Sequence, residues 1–292
     1  ARRISEPSRG VGLTVNSCRC CRGRWSSPSG RGRPAVYAGG TMARQRTPEG
    51  PPPEPAVQKL RIRYAKRGRL RFSSTRDFSR ALERALRRAD VPMAFSAGFH
   101  PHPLISYANA APTGTASEAE YFEIRVTERV DPEAVRAALD EALPEGLDVL
   151  EVVQAGPGAL ADRLEASEWH IVVRAADPAE VTAAVDAYLA CELAETTRTF
   201  KTGPRTFDTR GAVLAMDASG VDDEGCAILR MVVRHTTPSV RPDDILTALH
   251  AVTGFAPPVP PLVTRLAQGP LLDAAAGVAD PLAADKEAVG SG

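Results

Sequence analysis

The chain has 292 residues, of which 43% are hydrophobic and 25% charged, and its 36 basic residues balance its 36 acidic residues. These values are ordinary for a globular protein and exclude both a collagen-like and a wholly disordered chain. The sequence contains no run of about 18 apolar residues that would span a bilayer and no apolar N-terminal signal, so it predicts a cytoplasmic protein.

Both ends of the chain have the composition of flexible tails. Residues 1–56 are rich in Arg, Gly, Ser and Pro without apolar periodicity, so we expect disorder there. The alternative for this segment is a basic RNA-binding arm. The first methionine is Met42, and the residues before it are expected to be upstream sequence that was read through. Residues 273–292 are rich in Ala and Gly and are predicted to form a second tail.

Between the tails, period-two alternation predicts strands and a 3.6-residue apolar period predicts helices. In the first half the predicted strands are KLRIRYA (59–65), RLRF (69–72), LISYA (104–108), EYFEIRVTE (120–128) and LDVLEVV (147–153). The predicted helices of this half are TRDFSRALERALRRA (75–89) and DPEAVRAALDEAL (131–143).

The second half repeats this order of elements. Its predicted strands are EWHIVVRA (168–175), ETTRTFK (195–201), CAILRMVVRH (226–235) and LVTRLAQ (262–268), and its predicted helices are DPAEVTAAVDAYLA (177–190) and RPDDILTALHAV (241–252). Three of the helices begin with proline in the first turn beside an acidic residue, as helix starts favour. The pattern predicts an α+β fold of two tandem ferredoxin-like units, residues 57–155 and 166–272.

The first half has a basic face. Residues 57–115 contain twelve Lys or Arg and only three acidic residues. In the first strand Arg61 and Arg63 lie opposite the apolar side chains, and in the RLRF segment Arg69 and Arg71 lie opposite Leu70 and Phe72. Because both helices of a ferredoxin-like unit cover one face of its sheet, these arginines should point toward the open face.

The following helix adds to this face. Its apolar stripe is Phe78, Leu82, Ala85, Leu86 and Ala89, and on the opposite side it carries Arg76, Arg80, Arg84, Arg87 and Arg88. A solvated helix face is the alternative interpretation. Together with the strand arginines, however, the helix predicts a polyanion as partner, most plausibly RNA. The predicted phosphate ligands are Arg61, Arg63, Arg69, Arg71, Arg80, Arg84 and Arg87, and Tyr107 and Tyr121 are candidates for base stacking.

The segment AFSAGFHPHPLISYAN (94–109) contains two histidines fenced by prolines and a glycine. Gly98 permits a positive φ, and the prolines push His100 and His102 into extended geometry that aims both imidazoles at one spot. A metal or acid-base site, a phosphate contact and a rigid structural loop all remain open. We expect mainly a rigid loop, with Gly98, Phe99, His102 and Pro103, that presents His102 beside the basic face.

Several familiar chemistries have no signal in this sequence. It lacks a P-loop, a dinucleotide-binding glycine motif, H-E-x-x-H and G-x-S-x-G. Cys18, Cys20 and Cys21 form a C-x-C-C cluster without the second pair that a zinc site needs. No C-x₃-C-x₂-C triad is present to hold an iron–sulfur cluster. We therefore expect no metal and no cofactor of the protein's own.

The order of motifs in the first half resembles the bacterial radical-SAM-linked protein family, a domain of unknown function. The shared features are the Arg-Leu-Arg-Phe segment, Asp77, the Ala-Leu-Glu-Arg-Ala helix, the Gly-Phe-x-Pro-His-Pro loop and Ser-Glu-Ala-Glu-Tyr. The match runs from about Lys59 through the helix after Val130 and more weakly to about Asp273. His102 falls on the Pro-His-Pro histidine of the family, and Asp77 on its acidic residue at the helix start.

The resemblance implies a partner, namely a B12-binding-type radical SAM protein encoded beside or fused to family members. No reaction is established for the family. This sequence has Ser74-Thr75 where the family commonly has Ser-His, and His100 where it commonly has Asn or Thr. The predicted fold also resembles the CRISPR repeat-processing endoribonucleases, some of which use a histidine at a helix start, and Thr75 counts against such cleavage.

These observations lead to one principal hypothesis and two alternatives. The principal hypothesis is a non-catalytic accessory protein that binds an RNA or ribonucleoprotein for a separate radical SAM enzyme. The first alternative is an RNA-modifying or RNA-cleaving enzyme that uses His102, His100 and Asp77. The second alternative is a protein-interaction module whose arginine face docks on an acidic partner.

Overall fold

The computed structural model of the protein describes residues 53–272 and 277–290. The first half comprises β1 (Gln58–Lys66), α1 (Thr75–Arg88), β2 (Ile105–Ala108), β3 (Ala116–Val126), α2 (Pro132–Ala142) and β4 (Val149–Gln154). The second half comprises β5 (Ala166–Val173), α3 (Pro178–Leu189), β6 (Glu195–Phe200), β7 (Gly203–Asp208), β8 (Val213–Val221), β9 (Ala227–Arg234), α4 (Pro242–Thr253) and β10 (Leu262–Gly269). The chain continues with β11 (Leu271–Leu272), β12 (Gly277–Val278) and α5 (Ala283–Gly290).

The predicted α+β class is confirmed. One mostly antiparallel sheet has the strand order β4-β1-β3-β10-β5-β9-β8, with β2 also paired to β3. In the first half β4 lies beside β1, β1 beside β3, and β2 pairs with β3; in the second half β10, β5, β9 and β8 repeat this arrangement, while β6 and β7 form a separate hairpin. The halves join at a short parallel pairing of β3 with β10, where Thr264 lies opposite Ala116 and Arg265 opposite Ser117. We call this junction the seam.

The helices cover one face of the sheet, and alternation along the strands decides which side chains they bury. In the first half, Leu60 and Ile62 of β1 pack with Phe78 and Leu82 of α1 and Leu139 of α2. The second half builds an equivalent core between β5, β9, α3 and α4. The apolar stripe predicted for α1 is therefore the face that this helix buries.

The predicted helix boundaries are confirmed, and their caps explain them. Asp131 and Asp177 accept backbone N–H groups at the starts of α2 and α3, each of which begins with proline. Ser74 caps α1 in the same way. These local signals are readable from sequence because each cap lies within three residues of its partner.

Two predicted strands differ in the structure. The RLRF segment is a 3₁₀ helix, Gly68–Phe72, because Gly68 adopts a φ of +53° directly after β1 and turns the chain away from the sheet. The ETTRTFK strand is β6, but it pairs only with β7 in a separate hairpin. The place beside β9 is taken by β8, which was not predicted.

The predicted C-terminal tail is also different. Where residues 277–290 were expected to be disordered, they form β12 and α5. Leu282 is fully buried against the face of the first-half sheet that the helices leave uncovered, in a cluster with Ala119, Tyr121 and Leu160. Burial of this leucine against an apolar surface stabilises the segment, although the average hydrophobicity of the segment is low. The predicted disorder of residues 1–52, including Met42 and the three N-terminal cysteines, lies outside the described residues.

Candidate functional site

Arg61 lies in the protein interior, with no exposed surface. Its guanidinium donates to both carboxylate oxygens of Asp285, at 2.7 and 2.8 Å, and to Glu123 at 2.9 Å. The predicted phosphate contact of Arg61 is therefore corrected. The face toward which it points is covered by the C-terminal segment, and its charge is matched there by Asp285.

Asp285 is the anionic centre of this buried site. Besides Arg61 it accepts hydrogen bonds from Arg163 and from the Gly156 amide, each at 2.8 Å. Burial raises the pKa of Asp285, but these donors outweigh burial and hold the pKa below its ordinary value of 3.8. The network fastens α5 to the sheet and leaves no open position for a ligand phosphate.

Two more side chains predicted to serve the open face are engaged within the protein. Arg63 is half-buried and donates to the carbonyl of Glu118 at 2.8 Å. Tyr121 is buried in the cluster around Leu282, where burial raises its pKa. The Tyr121 ring is therefore not available for base stacking as the sequence analysis expected, and Arg63 is partly engaged within the protein.

The arginines of α1 remain on the surface. Arg76, Arg80, Arg84 and Arg87 are exposed and lie at helical spacing along one side, and we call them the arginine stripe. Arg87 approaches Glu83 at 4.0 Å. For the other three, no hydrogen bond or ion pair is formed within residues 53–272 and 277–290. Exposed cations that form no ion pair within the described residues are available to bind phosphate groups.

The 3₁₀ helix before α1 adds a second basic element. Arg69 is exposed, and the Arg71 guanidinium lies 4.7 Å from the ring centre of Phe72. Phe72, which the sequence analysis placed on an apolar strand face, is 59% exposed. The failed strand prediction thus concealed an exposed aromatic ring next to two arginines.

The histidine loop is a closed turn. The Ser96 amide donates to the His102 carbonyl at 2.8 Å, and the His102 amide donates to the Ser96 hydroxyl at 3.0 Å. Gly98 has a φ of +138°, a conformation that a residue with a side chain rarely adopts. His100 and His102 are both exposed, and the chain bends at residues 97–100 instead of remaining extended. The loop is therefore held by its backbone, with its imidazoles in solvent.

The loop packs beside the C-terminal part of α1. Phe95 and Pro103 line a groove of about 90 Å³ together with Glu83 and Arg87. The last arginine of the stripe is thus a direct neighbour of the loop.

Asp77 is not brought to this loop. It forms a reciprocal capping box with Ser74, and this hydrogen bond lowers its pKa. Asp77 precedes Glu83 by six residues, which corresponds to about 9 Å along a helix axis. The carboxylate therefore caps the first turn of α1 instead of completing a triad with the histidines.

The sequence analysis missed a buried charge cluster at the seam, formed by Lys66, Glu120 and Arg265. Arg265 donates to Glu120 and, at 2.8 Å, to the carbonyl of Asn109. The Lys66 ammonium donates to the carbonyls of Ala111 and, equally at 3.3 Å, Pro112. Burial lowers the pKa of Lys66, and the charge of Glu120 opposes this shift. The cluster ties β1, β3, β10 and the loop before β3 together.

One histidine outside the loop makes a pairing that resembles a nucleophile and base. Ser167 and the His235 Nε2 lie 2.8 Å apart, and the His235 Nδ1 contacts the carbonyl of Leu164 at 2.7 Å. Ser167 is almost fully buried, so no substrate carbonyl can approach its hydroxyl. This pair holds the segment between the two halves against β9.

Two kinds of feature are absent from the described residues. In residues 53–272 and 277–290, no group of three His, Cys, Asp or Glu side chains could hold a metal ion. Among the helices of the same residues, none has both the length and the apolar character needed to cross a membrane.

Comparison with known proteins gives one match. No curated protein matches the chain. Residues 59–242 match the profile of a protein family, and this region contains the arginine stripe, the histidine loop and Glu120 of the buried cluster. More than half of the chain is covered, so the protein belongs to the bacterial family described as "Uncharacterized protein conserved in bacteria (DUF2344)".

Proposed function

We propose that the protein binds RNA through the arginine stripe and the 3₁₀ helix that precedes it, as a non-catalytic accessory protein in the cytoplasm. The observation that carries this proposal is the set of four exposed arginines on one helix face, of which only Arg87 forms an ion pair, at 4.0 Å, among the residues that the structure describes. Five of the seven arginines predicted from sequence remain as phosphate ligands, and Arg76 joins them. The remaining ligands are Arg69, Arg71, Arg80, Arg84 and Arg87.

The charge distribution favours a polyanion over a solvated helix face. A solvated helix usually pairs its charges at i,i+3 or i,i+4, as Arg136 does with Glu133 on α2 at 2.7 Å. The stripe has only the 4.0 Å approach of Arg87 to Glu83. Four like charges spaced along about 17 Å of helix repel one another unless a partner neutralises them.

The two halves of the chain share one architecture, and the arginine stripe lies on a helix of the first half. We infer that the two halves are ferredoxin-like units in tandem, because each has the order βαββαβ once the separate β6–β7 hairpin of the second half is set aside, and the strand neighbours follow the same pattern. In the first unit α1 packs over β1, β2 and β3, where Phe78 contacts Tyr64, Tyr107 and Phe122. Fold alone does not determine function, so the proposal depends on the stripe and not on the topology.

The accessory role depends on the resemblance to the radical-SAM-linked proteins. On this proposal a separate radical SAM enzyme supplies the chemistry, and this protein holds the RNA or ribonucleoprotein for it. The nucleotide beside His102 would be the one presented, because the loop borders the end of the stripe.

Single-stranded RNA should bind the full chain with an affinity that falls steeply as salt rises from about 50 to 300 mM. The variant Arg80→Gln/Arg84→Gln/Arg87→Gln should bind more weakly, with a log–log salt slope smaller by about 2, since each lost phosphate contact on a single strand contributes about 0.7. Fluorescence anisotropy of a labelled RNA measures both quantities. The full chain is required because α5 supplies Asp285 to the core.

The matched control removes three exposed arginines from other elements: Arg129→Gln/Arg205→Gln/Arg234→Gln. It should leave the slope nearly unchanged. Equal losses in both triple variants would mean that the effect is one of net charge and that the stripe is not the site. If neither the wild type nor the variants bind RNA in a salt-dependent way, and an acidic protein binds the same face, the interaction-module alternative replaces the RNA-binding proposal.

The enzyme alternative is favoured by one observation, the exposure of His100 and His102 beside the stripe. It makes a different prediction for His102→Ala. A catalytic His102 would lose product formation while RNA affinity stays nearly intact, whereas the accessory role predicts that the protein alone forms no product from RNA before or after the substitution. Incubation of labelled RNA with each protein, resolved on a denaturing gel, separates the two outcomes.

A further inference from the structure

A cleft at the seam combines residues from both halves of the chain. The first half contributes Arg71 and Phe72 from the 3₁₀ helix and Gly114 from the loop before β3. The second half contributes Arg174, which follows β5, and the segment 260–264 that leads into β10. The cleft has a volume of about 290 Å³, at the lower end of the range of about 300–1,000 Å³ for small-molecule sites.

The lining of this cleft is cationic. Arg71 and Arg174 are its charged residues, and no acidic side chain lines it. The one polar contact described for the Arg174 side chain is a long hydrogen bond of 3.4 Å to the carbonyl of Pro260. The Arg71 guanidinium makes its described contact with the Phe72 ring. Two guanidinium groups that reach the cleft from different halves favour a bound anion.

The cleft also holds an aromatic ring in place. The Gly114 amide donates to the carbonyl of Arg71 at 2.8 Å, which fastens the 3₁₀ helix to the loop before β3. The φ of Gly114 is +93°, and a Cβ there would lie 3.8 Å from the Phe72 ring. One side of the ring thus rests near the Gly114 backbone, while 59% of the residue stays exposed. An exposed aromatic ring beside cations is a combination on which nucleobases stack.

We propose that this cleft binds one unstacked nucleotide of single-stranded RNA, with its phosphate between Arg71 and Arg174 and its base against Phe72. This inference rests on the proposed function and specifies the class of RNA that the protein takes. Phe72 lies four residues before Arg76, so the cleft opens at the start of α1 and the stripe continues from it. A duplex cannot offer such a base without being unpaired, so single strands should bind more tightly than duplexes of the same length.

The test compares two cleft variants with controls matched in exposure and charge. Phe72→Ala removes the ring, and its control is Leu193→Ala, an apolar residue of similar exposure (58%) outside the cleft. Arg71→Gln/Arg174→Gln removes the two cations, and its control is Arg129→Gln/Arg234→Gln, two exposed arginines outside the cleft and the stripe. Affinity for a 12-nucleotide single strand and for its duplex is measured across salt, and circular dichroism verifies folding.

We expect Phe72→Ala to weaken single-strand binding roughly tenfold, from the loss of one base stack, without changing the salt slope. Arg71→Gln/Arg174→Gln should lower the slope by about 0.7, because both guanidinium groups contact the same phosphate and the contribution on a single strand is about 0.7 per phosphate. Neither change should alter duplex binding as strongly, and both controls should behave as the wild type.

The outcomes separate this inference from the proposed function. If the wild type binds no RNA, both fail. If the stripe variant loses affinity while both cleft variants match their controls, the proposed function stands and the cleft is not a nucleotide site. Equal binding of duplex and single strand, with no effect of Phe72→Ala, would likewise overturn the inference.

Discussion

Replacing Glu120 by glutamine is expected to lower the free energy of unfolding by about 3–5 kcal/mol, the range for breaking a buried ion pair. The Glu120 side chain is 1% exposed and accepts hydrogen bonds from Arg265 and from the Ala111 amide. Glutamine keeps the shape but leaves the two buried cations, Lys66 and Arg265, without a carboxylate. Urea denaturation at neutral pH, followed by circular dichroism, measures the loss.

The same variant should recover part of its stability in alkali. Burial lowers the pKa of Lys66 from its ordinary value of 10.5, and Glu120 opposes this shift, so losing Glu120 lowers the pKa further. The unfolded chain then binds more protons at Lys66 than the folded protein, and stability rises as the pH approaches 10.5. We therefore expect the difference between wild type and Glu120→Gln to shrink over that range.

Glu118→Gln is the matched control for this experiment. Glu118 lies on the same strand and pairs with Arg67, but the guanidinium of Arg67 is 46% exposed. Exposed pairs contribute about 0–1 kcal/mol, so the control should lose little stability. Equal losses in the two variants would show that the seam cluster does not stabilise the fold.

Replacing Asp285 by asparagine is expected to lower the free energy of unfolding by about 3 kcal/mol. Arg61 would keep Glu123 but lose the negative charge of Asp285 and one of its two hydrogen bonds to that side chain, because asparagine has a single acceptor oxygen, and the charge of Arg61 would stay buried. Lys286→Gln is the control. Lys286 lies on the same helix as Asp285, and its ion pairs with Glu151 and Asp280 are partly exposed, so they should contribute little to stability. Urea denaturation of the full-length variants compares them.

The ion pair of Arg61 and Asp285 also predicts that the free energy of unfolding depends on pH in the acidic range. Since the folded pKa of Asp285 lies below 3.8, its stabilising contribution is complete above that pH and is lost as the pH falls through the lower folded value. The wild type should therefore lose its advantage over Asp285→Asn only in that acidic range. The double variant Arg61→Leu/Asp285→Leu should be less destabilised than the sum of the single changes, since neither member of this buried pair is left without the other. Additive losses would contradict the coupling of the two side chains.

Local patterns were sufficient to predict most of the first half. The alternation of Leu60 and Ile62 and the stripe of Phe78 and Leu82 on α1 correspond directly to the observed core. The capping residues mark the helix starts, since each acts within three residues. The same helical period places the arginine stripe on the exposed side of α1, opposite the buried apolar side.

The seam cluster could have been found from the sequence. Lys66 lies in phase with Ile62 and Tyr64 on β1, and Glu120 lies in phase with Phe122 and Ile124 on β3, so both charges occupy positions of buried apolar residues. A charge on the apolar side of a strand requires an internal partner. What the strand pattern does not give is the identity of that partner, because Arg265 follows Glu120 by 145 residues.

Arg61 could not have been distinguished from an exposed arginine by the same reasoning. It lies on the polar side of β1, as does the half-buried Arg63, and only long-range packing separates their environments. The segment that buries Arg61 is rich in alanine, and Asp285 is 224 residues away along the chain. Strand β8 was missed for a related reason, because Gly220 and Asp217 weaken its alternation and its pairing with β9 decides its conformation.

The position of β10 in the sheet has a consequence for biosynthesis. This strand is synthesised after β1–β9, yet it occupies the centre of the sheet between β3 and β5. The two halves can each collapse early, but they cannot join until β10 is synthesised. Until α5 follows, the guanidinium of Arg61 has no Asp285 and the apolar face around Tyr121 has no cover. The nascent protein therefore passes through a stage at which its first half is compact but the charge of Arg61 is incompletely neutralised. This stage is the one most exposed to misassembly.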